Sequence, residues 1–150
     1  MSPNAWGPPI WTLFHCLSEK VKEEHFNVIG PQIFNFIKQI CHNLPCPDCT
    51  QHAIRFLSKI NPSLLNTKQK MKNFLFFFHN SVNKRKNKLI LAPNYLEKYT
   101  SLNLIVVVNH FLRAYNTRGN MKLLTDTFHR TRLTNNFKKW MINHLTYFNI

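Results

Sequence analysis

Leu44-Pro45-Cys46-Pro47-Asp48-Cys49-Thr50-Gln51-His52 sets two cysteines three positions apart, brackets the first between prolines and follows the second with a histidine. Pro47 suits the first position of a helix, where its missing N–H has no partner to lose. Ala53, Phe56, Leu57 and Ile60 then fall on one side of a helix running to about Lys59. The spacing predicts Cys46 at the helix start and Cys49 one turn in. The positive end of a helix favours thiolate over thiol, which suits a redox-active pair, and C-x-x-C also permits a small disulfide ring. Zinc competes, because Cys41, Cys46, Cys49 and His52 offer four ligands in one short stretch. Structural zinc sites usually join two separated ligand pairs, and no second pair exists elsewhere in the chain. Buried structural cysteines are a third reading. The stretch alone leaves all three open.

The 150 residues, 44% of them hydrophobic, suffice for one core, and only 3 glycines argue for helices with short connections over an all-β fold. A formal net charge of +14, from 20 basic and 6 acidic residues, usually signals a nucleic-acid or acidic-membrane partner. The charge is spread along the chain. Its densest run, Lys84-Arg85-Lys86-Asn87-Lys88, is either a solvated face or a holder of nucleotide phosphates. The opening residues Met1-Ser2-Pro3-Asn4 carry no basic, apolar leader. The longest apolar run, Leu104 to Val108, is far short of the roughly 20 residues that span a bilayer. The expectation is a soluble protein made in a cytosol, where four cysteines point to catalysis or metal rather than a disulfide framework.

Along the chain, Pro8 and Pro9 are expected to start a first helix with Ile10, Leu13, Phe14 and Leu17 inward, reaching about Glu24. Trp11 and His15 share a face one turn apart. Gly30-Pro31 is expected to break the chain before a second helix of about 32–42. After the cysteine helix, Asn66 or Thr67 can cap a helix of about 68–84, so aromatic on nearly all sides that deep burial is predicted. His79 and Asn83 face one pocket near its end, and the bland reading of this polar set is capping amides beside a core histidine. Pro93 opens a short fifth helix with Tyr95 and Tyr99. Residues 100–150 add helices over about Leu102–Tyr115 and Asn135–Tyr147.

Three ordered motifs now stand together: Trp6-Gly7-Pro8 with Trp11 and His15, Cys46-Pro47-Asp48-Cys49 with His52, and His79-Asn80-Ser81-Val82-Asn83 with Lys88. They resemble the FAD-linked sulfhydryl oxidases of the Erv/augmenter-of-liver-regeneration type, in particular the short members encoded by large DNA viruses. The resemblance spans residues 6 to about 99. It implies an all-α fold: a four-helix bundle with a short fifth helix binding FAD, plus additional C-terminal helices. Residues 1–100 become the oxidase domain, and 101–150 a helical extension packed on it or on a partner.

The resemblance also implies the chemistry. Protein dithiols are the substrates, Cys46 and Cys49 are catalytic, and electrons pass through FAD to oxygen, giving hydrogen peroxide. Gly7, Trp11, His15, His52, His79, Asn80, Val82, Asn83 and Lys88 become cofactor contacts, with His79 and Asn83 at the adenine, Lys88 at phosphate and Lys84 as a helper. A homodimer in the host cytoplasm or virion is implied, with no resident metal, no membrane span and no nucleic-acid partner. The rival, a basic helical nucleic-acid-binding module with a small zinc site, rests on the charge and the ligand cluster. Many relatives carry a further disulfide or a shuttle dithiol; here no cysteine follows Cys49, and Cys16 and Cys41 are the only spare thiols.

Overall fold

The computed structural model describes residues 3–116 and 124–150. Among the described residues the secondary structure is helical: α1 (Pro3–Lys20), α2 (Phe26–Cys41), α3 (Pro47–Ser58), α4 (Lys68–Arg85), α5 (Leu104–Tyr115) and α6 (Leu124–His144), with a 3-10 helix over Pro93–Ser101. The only strand-like pairing among them is one antiparallel bridge between Val21 and Phe148. The arrangement is the all-α class that the resemblance implied. Among the described residues no helix is long and apolar enough to cross a membrane.

Helix α1 begins earlier than expected, with Pro8 and Pro9 inside it, and stops at Lys20 rather than near Glu24. Each proline removes one hydrogen bond to the first turn. The buried stripe Trp6, Ile10, Leu13, Phe14 and Leu17 keeps helical spacing across them, so packing carries the helix past the missing donors. Gly30-Pro31 does not break the chain either; both lie inside α2. Pro31 sits near the start of that helix and removes one bond. Gly30 is where the Phe26 ring rests: a Cβ there would lie 2.6 Å from Phe26 Cζ. The helix gives up side-chain bulk at Gly30 to bury Phe26.

Helix α4 is capped by Thr67, whose side chain accepts from the Lys70 N–H at 3.1 Å. Its aromatic surround is not wholly buried: Phe74 and Phe78 are, whereas Phe77 is 67% exposed. It ends in a Schellman turn. The Lys88 N–H donates to the Asn83 carbonyl (2.8 Å) and the Asn87 N–H to the Lys84 carbonyl (3.2 Å), with Asn87 at φ 56°.

Helix α1 is the hub. It contacts α2, α4 and the 3-10 helix, and its most extensive contact is with α5. Helix α6 starts near Leu124, well before the expected Asn135, and packs on α2 through Phe137 and Trp140 against Phe36. The Tyr115 hydroxyl is within hydrogen-bond distance of two carbonyls at the end of α2, Ile40 (3.1 Å) and Asn43 (2.8 Å). One apolar cluster runs from Trp6 to Phe148.

Candidate functional site

Cys46 is the N-cap of α3, with extended backbone, and Pro47 is the first helical residue. The Cys49 N–H donates to Cys46 Sγ at 3.2 Å, so the sulfur takes the role a serine or aspartate oxygen takes in an ordinary cap. Cys46 and Cys49 are joined as a disulfide. That bond uses two of the four candidate zinc ligands, and no metal-holding group of His, Cys, Asp and Glu exists among the described residues. Cys16 and Cys41 are free and buried. Burial pushes the Cys16 thiol up to about 11 and raises Cys41 further still, so neither is a thiolate at neutral pH.

Cys49 faces a groove; Cys46 is absent from its lining. The narrow end, about 60 Å³, is walled by Cys49, His52, Ala53, Trp11, Phe14 and Phe78, with Cys41 behind. It continues into a chamber of about 590 Å³ lined by His79, Asn83, Lys88, Leu91, Tyr95, Lys98 and Tyr99. Gly7, Trp11, Val82 and Lys86 line both parts and make them one groove. Among the described residues no carboxylate lines it. Lys86, Lys88 and Lys98 give it three cations, and Arg85 stands at the disulfide end.

The aromatic centre is packed on itself. Trp11 stacks on His79 with ring centroids 4.2 Å apart and 3° between planes. His79 Nδ1 and His15 Nε2 share a hydrogen bond of 2.9 Å, and His15 stacks on Tyr99. Burial, then the mutual repulsion of the pair and Lys98, lowers the His15 pKa to about 3; burial, then Lys98 and Lys88, lowers that of His79 to about 4. Both rings are neutral at pH 7. Burial lowers His52 as well, followed by Arg85 and Arg55.

Of the residues the motifs singled out, Gly7, Trp11, Cys49, His52, His79, Val82, Asn83 and Lys88 line the groove. His15 and Asn80 do not. His15 stands behind His79. Asn80 grips a loop, donating from Nδ2 to the Leu91 carbonyl (3.3 Å) and accepting the Leu91 N–H at Oδ1 (2.7 Å). Asn83 donates to the Leu89 carbonyl at 3.1 Å. The two amides hold residues 86–91 as the groove wall. Lys84 is also outside the lining. Sequence reasoning held Lys86 only as part of the basic run and missed Lys98 as a groove cation. The Asn87 turn swings Lys86 and Lys88 onto one wall, and the Tyr95-x-x-Lys98-Tyr99 spacing was the available signal for the other.

The sequence pattern of the Erv1/Alr family matches residues 8–101. The chain belongs to the Erv1/Alr family. An FAD-linked sulfhydryl oxidase of African swine fever virus is 37% identical over 92 residues, 58% of this chain and 72% of that protein. A protein of Invertebrate iridescent virus 6, provisionally named FAD-linked sulfhydryl oxidase 347L, is 30% identical over 104 residues, 65% of this chain and 94% of its own length. No solved structure matches the chain.

The groove of this Erv1/Alr chain fits the cofactor in those names. A Cβ at Gly7 would meet nothing within 4 Å beyond its chain neighbours, so no protein packing claims the space beside it. A glycine inside a helix costs about 0.5–1 kcal/mol relative to alanine, although lacking a Cβ also eases its position before Pro8. The donor set also fits, with aromatic walls for flat rings and three lysines, without a carboxylate, for a diphosphate.

Proposed function

We propose that this chain is an FAD-dependent thiol oxidase that makes disulfide bonds in protein substrates. The observation that carries the reading is the Cys46–Cys49 disulfide set at one end of a cationic groove, with Cys49 toward it, in an Erv1/Alr chain. Residues 1–100 form the oxidase unit and 101–150 extend it; the family match over 8–101 supports that division.

A client thiolate attacks Cys46 Sγ. The Cys46–Cys49 bond breaks, a mixed client–Cys46 disulfide forms, and Cys49 leaves as a thiolate toward the groove. The client's second thiolate then attacks the client sulfur of the mixed disulfide, and Cys46 leaves as a thiolate. The Cys49 N–H on Cys46 Sγ and the positive end of α3 stabilise that charge. The client has lost two electrons and two protons, gained a disulfide, and left Cys46 and Cys49 reduced. FAD held in the groove would supply two-electron acceptor chemistry for the reduced pair. Trp11, His52 and Val82 wall the disulfide end and exclude water from it. His79 and Asn83, with Tyr95 and Tyr99, form the far wall, and Lys86, Lys88 and Lys98 would hold the diphosphate. His15 and Asn80 act as positioning residues, on His79 and on the 86–91 loop.

Oxygen as final acceptor, a homodimer and a cytoplasmic location belong to the same proposal and rest on the family resemblance. The purified chain is expected to be yellow and to oxidise dithiothreitol with release of peroxide. Cys46→Ser and Cys49→Ser should each stop turnover and keep the flavin. Normal turnover by either variant refutes the assignment.

A further inference from the structure

Asp48, His52, Arg55 and Lys59 recur at i, i+4, i+7 and i+11 on α3 and so share one helix face. The opposite face carries buried Ala53 and Leu57, which leaves Arg55 and Lys59 exposed. The stripe starts at the disulfide. Asp48 lies inside the C-x-x-C, and its carboxylate, the only one on α3, is paired with Arg85 of α4 at 3.2 Å. Among the described residues neither Arg55 nor Lys59 has a carboxylate partner. His52 senses them: Arg85, Arg55 and Lys59 each disfavour its charged form, opposed only by Asp48. Packing does not require two unpaired cations along the face that starts at the disulfide.

We propose that this face selects the client: the oxidase prefers dithiol segments carrying acidic side chains a few residues from the cysteine that attacks Cys46. The inference rests on the thiol-oxidase reading above. The geometry sets the register. From Cys46, the residue attacked, the helix rises about 14 Å to Arg55 and about 20 Å to Lys59, which an extended client covers in about four and six residues. Acidic residues four to six positions from the client cysteine therefore lie over Arg55 and Lys59. A nucleic acid would also answer to these cations, but it has no thiol to bring to the disulfide at their head.

The test uses the FAD-loaded full chain and follows oxygen uptake with two peptides built on one Cys-x-x-Cys core. One carries two glutamates and the other two lysines at those positions, and dithiothreitol serves as a small uncharged control. At about 0.01 M salt, kcat/KM for the glutamate peptide should exceed that for the lysine peptide by about tenfold, and the ratio should collapse toward one near 1 M salt. Arg55→Gln/Lys59→Gln should lower the glutamate peptide's kcat/KM severalfold while leaving dithiothreitol turnover and flavin content unchanged. Equal rates for the two peptides, with dithiothreitol oxidised normally, overturn the proposal alone. Failure to oxidise dithiothreitol overturns the thiol-oxidase reading, and the proposal with it. Binding of a single-stranded oligonucleotide that the double variant loses, with no difference between the peptides, assigns the stripe to nucleic acid and also overturns the proposal.

Discussion

Lowering the pH from 7 to 5 should destabilise the folded chain through one pair of histidines. His15 and His79 share their 2.9 Å hydrogen bond among Trp11, Tyr95 and Tyr99 and hold pKa values of about 3 and about 4. In the unfolded chain both return to about 6.5. The folded values lie below the unfolded ones, so between them the unfolded chain binds more protons and stability falls with pH. Above about 6.5 the contribution is fully present and flat. At pH 5, about 1.5 units below the unfolded value, one histidine accounts for about 2 kcal/mol. At pH 5 the folded pair still binds almost no proton, so the two contributions add to roughly 4 kcal/mol. Against a total of about 5–15 kcal/mol this is a large fraction, equivalent to roughly 5–15 °C in melting temperature. Melting curves of the flavin-free chain from pH 8 to 4.5, with imidazole proton resonances followed by NMR, measure it. His15→Gln/His79→Gln should flatten the slope. A melting temperature unchanged between pH 7 and 5, or either ring titrating near 6.5 in the folded protein, refutes the reasoning.

Three further outcomes follow from the packing. Cys16→Ala/Cys41→Ala should keep dithiol turnover near the parent rate, because both thiols are buried and protonated, and should lose about 1–3 kcal/mol in urea titration from the two voids; a large loss of turnover with flavin retained makes them a relay. Asn87→Gly should leave stability unchanged or slightly raised, whereas Asn87→Val should cost about 1–2 kcal/mol and weaken FAD retention, since it strains the turn that aims Lys86 and Lys88; equal FAD occupancy in both variants separates the turn from the groove. Tyr115→Phe should cost about 1–3 kcal/mol by leaving the Ile40 and Asn43 carbonyls without the hydroxyl, with turnover per bound flavin unchanged; a melting curve identical to the parent's means that water replaces it.

Much of the site was legible because its signals are local. Pro47 at a helix start, a cysteine pair one turn apart and an i, i+4 His79–Asn83 pair need only helical geometry to be read. The family resemblance was right, and so was the all-α class. What failed to show was tertiary. Gly30-Pro31 looks like a break until Phe26 is seen lying across Gly30. Pro8 and Pro9 look like a helix start until the burial of Trp6 extends the helix back past them. His79 and Asn80 were expected at the cofactor, and their tertiary partners, Trp11 stacked on His79 and Leu91 held by Asn80, could not be read from the motif. Lys98 went unread because the only signal for it was the short Tyr95-x-x-Lys98-Tyr99 spacing of a 3-10 helix. The deep burial expected all round α4 overlooked that a helix packed on α1 and α3 can leave Phe77 in water.

The packing of α1 on α5 also bears on how the chain is made. Residues 3–20 meet their most extensive helical contact only at 104–115, and the Val21–Phe148 bridge closes later still. At ribosomal rates of about 5–20 residues per second, the stripe of α1 that α5 covers waits on the order of several seconds for its partner. The walls of the groove, α1, α4 and the 3-10 helix, are synthesised before that partner exists. The nascent chain can therefore gather its redox half early while carrying a bare apolar strip, and the slow, long-range closure by α5 and α6 ends the interval in which that strip is open to aggregation.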